Sequence, residues 1–346
     1  MVQHPNLEVV TYHWSEADKS MIYPFPIAKG ATHDYLACDT ASISIGDLSL
    51  LPLEVIHNVL DHLDISTIGS VRCLSRHSRL IVDMFPPYRD LTTYASSVLC
   101  VLYSTHLAST YSIGQLYSVL TNDRCVCCDA FGPYLLLTTC ERCCFSCLYD
   151  PKMAATTLSN AASAFGLSKI EIGKKIPIIT TIPGIYTIER TERKRILKVV
   201  SVRKVLDLAL GKQNKTQSEA EREDFPNLNK RARDLIRHYN DPIRFMVSTP
   251  IPYRNTRDHS TELGVWCRGC ELVWYRSSSL RWSNDCYKRV LDTAYLKEEY
   301  LKHFQEFEAA KEIWGLFVRE GKGLEHLYSG RHREWASGNV QRRVLI

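Results

Sequence analysis

No uninterrupted apolar stretch in these 346 residues approaches the roughly 18 to 20 that a membrane-spanning helix needs, so no span is expected. The first twenty residues mix His, Glu, Asp and Lys with aromatics and hold no continuous apolar h-region, so a secretory signal is not expected either. An excess of one charge is missing too. Against 43 Lys plus Arg stand 38 Asp plus Glu, short of the concentrated surplus that would by itself mark a nucleic-acid binder. No Ser-His-Asp arrangement, phosphate-cradling glycine loop or paired-carboxylate motif stands out, which removes the commonest hydrolase and kinase readings. There is no internal repeat. The expectation left is an intracellular protein, cytoplasmic or nuclear, with two or three small domains and enough apolar content, 45%, to bury a sizeable core.

Cysteine, by contrast, is abundant. Thirteen is an odd number in a chain without export signals, which favours reduced thiols and metal ligation over a disulfide framework. Seven of the thirteen lie between Cys125 and Cys147. Cys125-x-x-Cys128, followed after fifteen residues by Cys144-x-x-Cys147, has the spacing of a four-cysteine zinc site in which two knuckles each offer two thiolates to one structural ion. Arg124 and Arg142 are expected to offset the doubly negative tetrathiolate. Cys140-x-x-Cys143 is an alternative second pair, and Cys127 is also available. A second zinc shared by Cys140, Cys143, Cys267 and Cys270 is chemically sensible and would staple the two halves of the chain. His303 and Glu306 read as helix surface, and His57, His62 and His77 as surface or half-buried residues without companion ligands.

Order is expected to begin near Asp47, after an irregular lead-in. Leu51, Val55, Ile56, Val59, Leu60 and Leu63 recur at helical spacing behind Pro52 and Glu54, which suit a first turn. Asp64 to Thr67 is rich in capping residues, Ile68, Val71 and Leu74 follow, Ser75 offers another N-cap, and Leu80, Ile81 and Met84 continue the stripe. Three short helices result, closed by Phe85-Pro86-Pro87. Helix is expected within 94–120, a short strand at Tyr134 to Leu137, and helix again from Ala154 to Phe165. Lys175 to Ile185 reads as a hairpin or strand pair turning at Pro183-Gly184. Residues 189 to 204 carry seven basic side chains against two acids, read as a solvated face. An exposed loop over Lys212 to Glu223, a strand at Leu272-Val273-Trp274, a helix from Leu296 to Val318 and a loose basic tail complete the pass.

Leu51-Pro52-Leu53-Glu54-Val55-Ile56, Leu60-Asp61-His62-Leu63-Asp64, then Ile68, Val71, Leu74-Ser75-Arg76 and Leu80 together resemble the F-box across its whole length. His77 and Ser78 stand where many F-boxes carry a bulky residue. The cysteine region, with its Gly132-Pro133-Tyr134 and Arg142-Cys143-Cys144, and the Trp266-Cys267 knuckle are similar to fungal F-box proteins. The resemblance implies a three-helix module that inserts into Skp1 through Leu51, Pro52, Glu54, Val55, Ile56, Val59, Leu60, Leu63, Ile68, Val71 and Leu74. Skp1 in turn bridges to the cullin and RING subunits of an SCF-type ubiquitin ligase, and the rest of the chain selects a protein substrate.

The expected fold class is mainly α with small β elements, α+β. Its divisions are a lead-in (1–45), F-box (46–91), helical connector (92–124), zinc module (125–150), substrate-binding region containing the 267–270 knuckle (151–320) and basic tail (321–346). The function expected is that of a non-catalytic adaptor with a structural zinc. Two rivals stay open: a ligase whose free thiol, such as Cys127, accepts ubiquitin, and a zinc-dependent nucleic-acid-binding or free-standing interaction protein using Arg190 to Lys204.

Overall fold

The computed structural model describes residues 5–12, 50–186, 191–212, 230–237, 242–276 and 293–320. Helices dominate, with small antiparallel sheets of two or three strands among them, an α+β architecture.

The expected three helices form as Leu53–His62, Ile65–Arg72 and Arg76–Met84. Their boundaries have local causes. Asp64 caps the second helix by accepting from the Thr67 backbone N–H at 2.9 Å, satisfying a donor that no helical carbonyl can reach. Ser75 caps the third in a reciprocal box: its hydroxyl accepts from the Ser78 N–H at 3.0 Å while Ser78 Oγ accepts from the Ser75 N–H at 2.8 Å. Arg72 ties these two helices together through a bidentate pair with Asp83, at 2.7 and 3.1 Å. Pro86 and Pro87 end the unit but also open another helix at once, Pro86–Tyr94. First-turn N–H groups have no intrahelical partner, so proline loses nothing there.

Helices Ser96–Ser104 and Ile113–Thr121 follow. The three-helix segment leans on them: the Ile113 N–H donates to the Leu63 carbonyl at 2.8 Å, and the Ser66 N–H to the Ala108 carbonyl at 3.3 Å. One apolar core runs from Leu60, Ile68, Val82 and Phe85 through Leu91, Leu102, Ile113 and Leu120 to Leu135, Phe145 and Val247.

In the cysteine-rich region the strand forms as Tyr134–Leu136, paired with Glu141–Cys143 on one side and with the distant Ser248–Pro250 on the other. Buried Arg142 fixes this junction. Its guanidinium donates to the carbonyls of Val119, Gly132, Ile251 and Pro252 at 2.7 to 3.3 Å. It is thus committed to backbone rather than to the thiolates it was expected to serve. Arg124 likewise pairs with Glu299 at 2.8 Å and with Asp123 at 3.2 Å.

Several expectations for the rest of the chain change. Ala154 to Phe165 divides into the strand Ala155–Thr157 and the helix Leu158–Phe165. Ile179–Thr180 pairs with Lys198–Ser201, and Gly184 starts the strand Gly184–Tyr186 instead of turning a hairpin. Of the basic strip, Val199 and Val200 are buried while Arg193, Lys194, Arg195 and Lys198 face solvent. Leu272 to Trp274 lie inside the helix Arg268–Arg276, and the strand precedes the knuckle as Val265–Cys267. A short apolar run does not separate strand from buried helix by periodicity. The expected C-terminal helix breaks at Phe307 into Lys297–Glu306 and Glu308–Glu320. Order also begins earlier than Asp47: residues Leu7–Val10 are helical, and Thr11–Tyr12 pairs with Val265–Cys267, with Val10 fully buried. The polar stretch after Lys212 and the basic tail from Gly321 lie outside the described residues.

Candidate metal centre and docking face

Cys125, Cys128, Cys144 and Cys147 bring their four Sγ atoms within 4.8 Å of one another. The first pair sits on a tight turn. The Cys125 N–H donates to the Ala130 carbonyl at 2.7 Å, the Asp129 N–H to the Cys125 carbonyl at 3.0 Å, and Asp129 takes a left-handed φ of 60°. The Cys127 N–H points at Cys125 Sγ, 3.5 Å away, so backbone dipole stabilises negative charge on that sulfur. The second pair leaves the strand Glu141–Cys143 and enters the short 3-10 turn Ser146–Tyr149. Cys128 Sγ and Cys144 Sγ are 3.6 Å apart. Zinc–sulfur bonds of about 2.3 Å build a tetrahedron with sulfur–sulfur edges of about 3.8 Å, so the spacing suits such an ion. Negative charge collects on Cys125, whose thiol is pushed far down by hydrogen bonds from Cys144 and Cys147.

The remaining thiols behave differently. Cys143 is fully buried, and burial drives its pKa well up. Side chains alternate across a strand, which turns Cys143 away from the side used by Cys144. Burial also raises Cys127 to about 11 and Cys140 to about 12. Held as neutral thiols, they lack the thiolate character of a nucleophile. Cys140 and Cys143 do not join Cys267 and Cys270. Those two meet His303 instead, with Cys270 Sγ 3.4 Å from His303 Nε2 and all three donor atoms within 4.8 Å. The Cys267 thiol is lowered to about 5, first by the hydrogen bond from Cys270 and then by His303. His303 is the residue that sequence reading missed. Its place on a helix face far from the knuckle left no spacing signal, although Tyr300, Phe304 and Phe307 around it hinted at an inward stripe.

The residues predicted to dock a partner separate into two sets. Leu60 and Ile68 are interior, 3% and 0% exposed, because the inward faces of their two helices pack into the shared core. Ile56, Leu63 and Val71 are half-buried against the same core. Leu51, Pro52, Glu54, Val55, Val59 and Leu74 face outward. Leu50, Leu53, Leu80 and Met84 join them, Leu80 and Met84 at 63% each. Scattered apolar exposure is ordinary, but so many exposed apolar side chains within one short helical segment exceed that pattern.

A small helical unit with an outward apolar set, joined to a cysteine-rich body, is the class of protein these features define. Residues 48–90 match the F-box domain family. No curated protein and no solved structure matches the chain. Among the described residues, no helix is long and apolar enough to cross a membrane.

Proposed function

We propose that this chain is a non-catalytic F-box adaptor: it docks on Skp1, and through it on cullin and RING subunits, while the region after the F-box recognises a protein substrate. The observation that carries the reading is the concentration of exposed apolar side chains, Leu50, Leu51, Leu53, Val55, Val59, Leu74, Leu80 and Met84, in the segment that matches the F-box domain. Its helices supply rigid i, i+4 anchors of the kind that bury well in a partner's groove.

The ion suited to Cys125, Cys128, Cys144 and Cys147 is zinc, in a structural role. Four thiolates fill its tetrahedron and leave no position for a reacting water. Binding contributes on the order of 10 kcal/mol to folding in sites of this kind.

The test is capture of the intact chain by purified Skp1, with zinc content measured on the same preparation. Wild type should bind, and a Leu51→Ala, Pro52→Ala double variant should lose binding while keeping its metal. A folded, metal-loaded wild type that Skp1 ignores sinks the adaptor reading.

A further inference from the structure

We propose that Cys267, Cys270 and His303 hold a second structural zinc ion, separate from the four-cysteine centre and independent of the adaptor reading. Three features favour an ion over a redox-active dithiol. Cys267 and Cys270 are only 2% and 3% exposed, so a partner thiolate has no path to attack a disulfide between them. Their third neighbour is an imidazole nitrogen, 3.4 Å from Cys270 Sγ, which is a metal ligand and not a thiol. The imidazole is also held in place: its ring stacks between Tyr295, 4.7 Å away, and Phe307, 4.9 Å away. Fixing the plane of a ligating histidine in this way pre-organises its nitrogen toward the sulfurs.

The surroundings say what the ion would join. Gly269, between the two cysteines, lies against the helix Glu308–Glu320 so closely that a Cβ there would come within 2.5 Å of the Ala310 nitrogen. Cys267 ends the strand that pairs with Thr11–Tyr12, and Arg268 Nε donates to the Thr11 carbonyl at 2.9 Å. Tyr300, one turn before His303, donates its hydroxyl to the Val10 carbonyl at 2.8 Å. The ion therefore staples the knuckle to the helix Lys297–Glu306 at the point where the N-terminal strand closes the unit. Among the described residues no fourth Cys, His, Asp or Glu joins the set.

The experiment measures zinc per full-length chain and the cobalt(II) absorption of the metal-exchanged protein. Wild type should hold two ions, His303→Ala one, and a Cys125→Ser, Cys128→Ser double variant one. His303→Cys should recover the second ion, with added thiolate-to-cobalt charge-transfer intensity, which a merely packing role for the ring does not produce. The proposal fails if His303→Ala keeps two ions or if His303→Cys does not recover the one lost. It fails too if peptide mapping of the unreduced protein finds Cys267 and Cys270 joined in a disulfide. A single wild-type ion that survives Cys125→Ser, Cys128→Ser but not His303→Ala upholds this site and overturns the other, whereas the reverse pattern overturns this one.

Discussion

Val59 and Leu60 are neighbours in sequence and opposite in exposure. Val59 is 53% exposed and Leu60 only 3%, so truncating the second opens a cavity while charging the first alters only a surface. Leu60→Ala should cost about 2 to 5 kcal/mol, read as a lower urea midpoint. Val59→Asp should hold stability to within about 0.5 kcal/mol and still abolish Skp1 capture. Equal effects on both quantities in both variants would remove the distinction between core and docking face. Periodicity alone could not draw it, because Val55 and Val59 recur at the same interval as Ile56 and Leu60. Gly269 makes a second prediction at this scale. The obstruction is the Ala310 backbone, which cannot swing aside, so Gly269→Ala should destabilise by about 1 to 3 kcal/mol, the usual cost of overpacking. Thermal unfolding followed by tryptophan fluorescence measures it, and an unchanged midpoint contradicts the close packing.

Among the elements, those with local signals were legible. The caps at Asp64 and Ser75 and the paired Cys-x-x-Cys spacings are written in a few adjacent residues. What needed tertiary contacts was not. Nothing near Leu7 announces that Thr11–Tyr12 will find a strand at Val265, and nothing near Cys267 announces His303. Proline misled in the same region where it helped, since it ends one helix and suits the first turn of the next. The N-terminal element should matter to the unit it joins and not to the docking helices. Val10 shares a buried cluster with Cys267, Tyr300, Phe304 and Ile313, while the docking helices share a different one with Leu102 and Leu135. Deleting residues 1–12 should therefore cost at least about 2 kcal/mol, from Val10 burial alone, and leave Skp1 capture intact. Hydrogen exchange should locate the loss at 265–276 and 297–320. Exchange that quickens equally at 53–84 would argue against two separate clusters.

The same core geometry governs the whole molecule. Cys125, Cys143 and Cys144 belong to the apolar cluster that also contains Leu60, Ile68 and Val82, with no boundary between the docking helices and the metal centre. A segment of some 45 residues has little interior of its own, and here its inward face is completed by Leu102, Ile113 and Leu116. An isolated 46–91 fragment should accordingly show little helix by circular dichroism and capture Skp1 poorly, although every outward docking residue is present in it. Chelation of the full chain should act in the same direction at a distance. If the proposed ion contributes on the order of 10 kcal/mol, as in sites of this kind, its removal should loosen the 125–147 region and with it the floor on which the docking helices rest. Skp1 capture should fall on chelation and return with added zinc, even though no docking residue touches the metal. A 46–91 fragment that binds Skp1 as tightly as the intact chain, or capture indifferent to chelation, would instead make the docking helices a self-sufficient unit whose shared core adds nothing to partner binding.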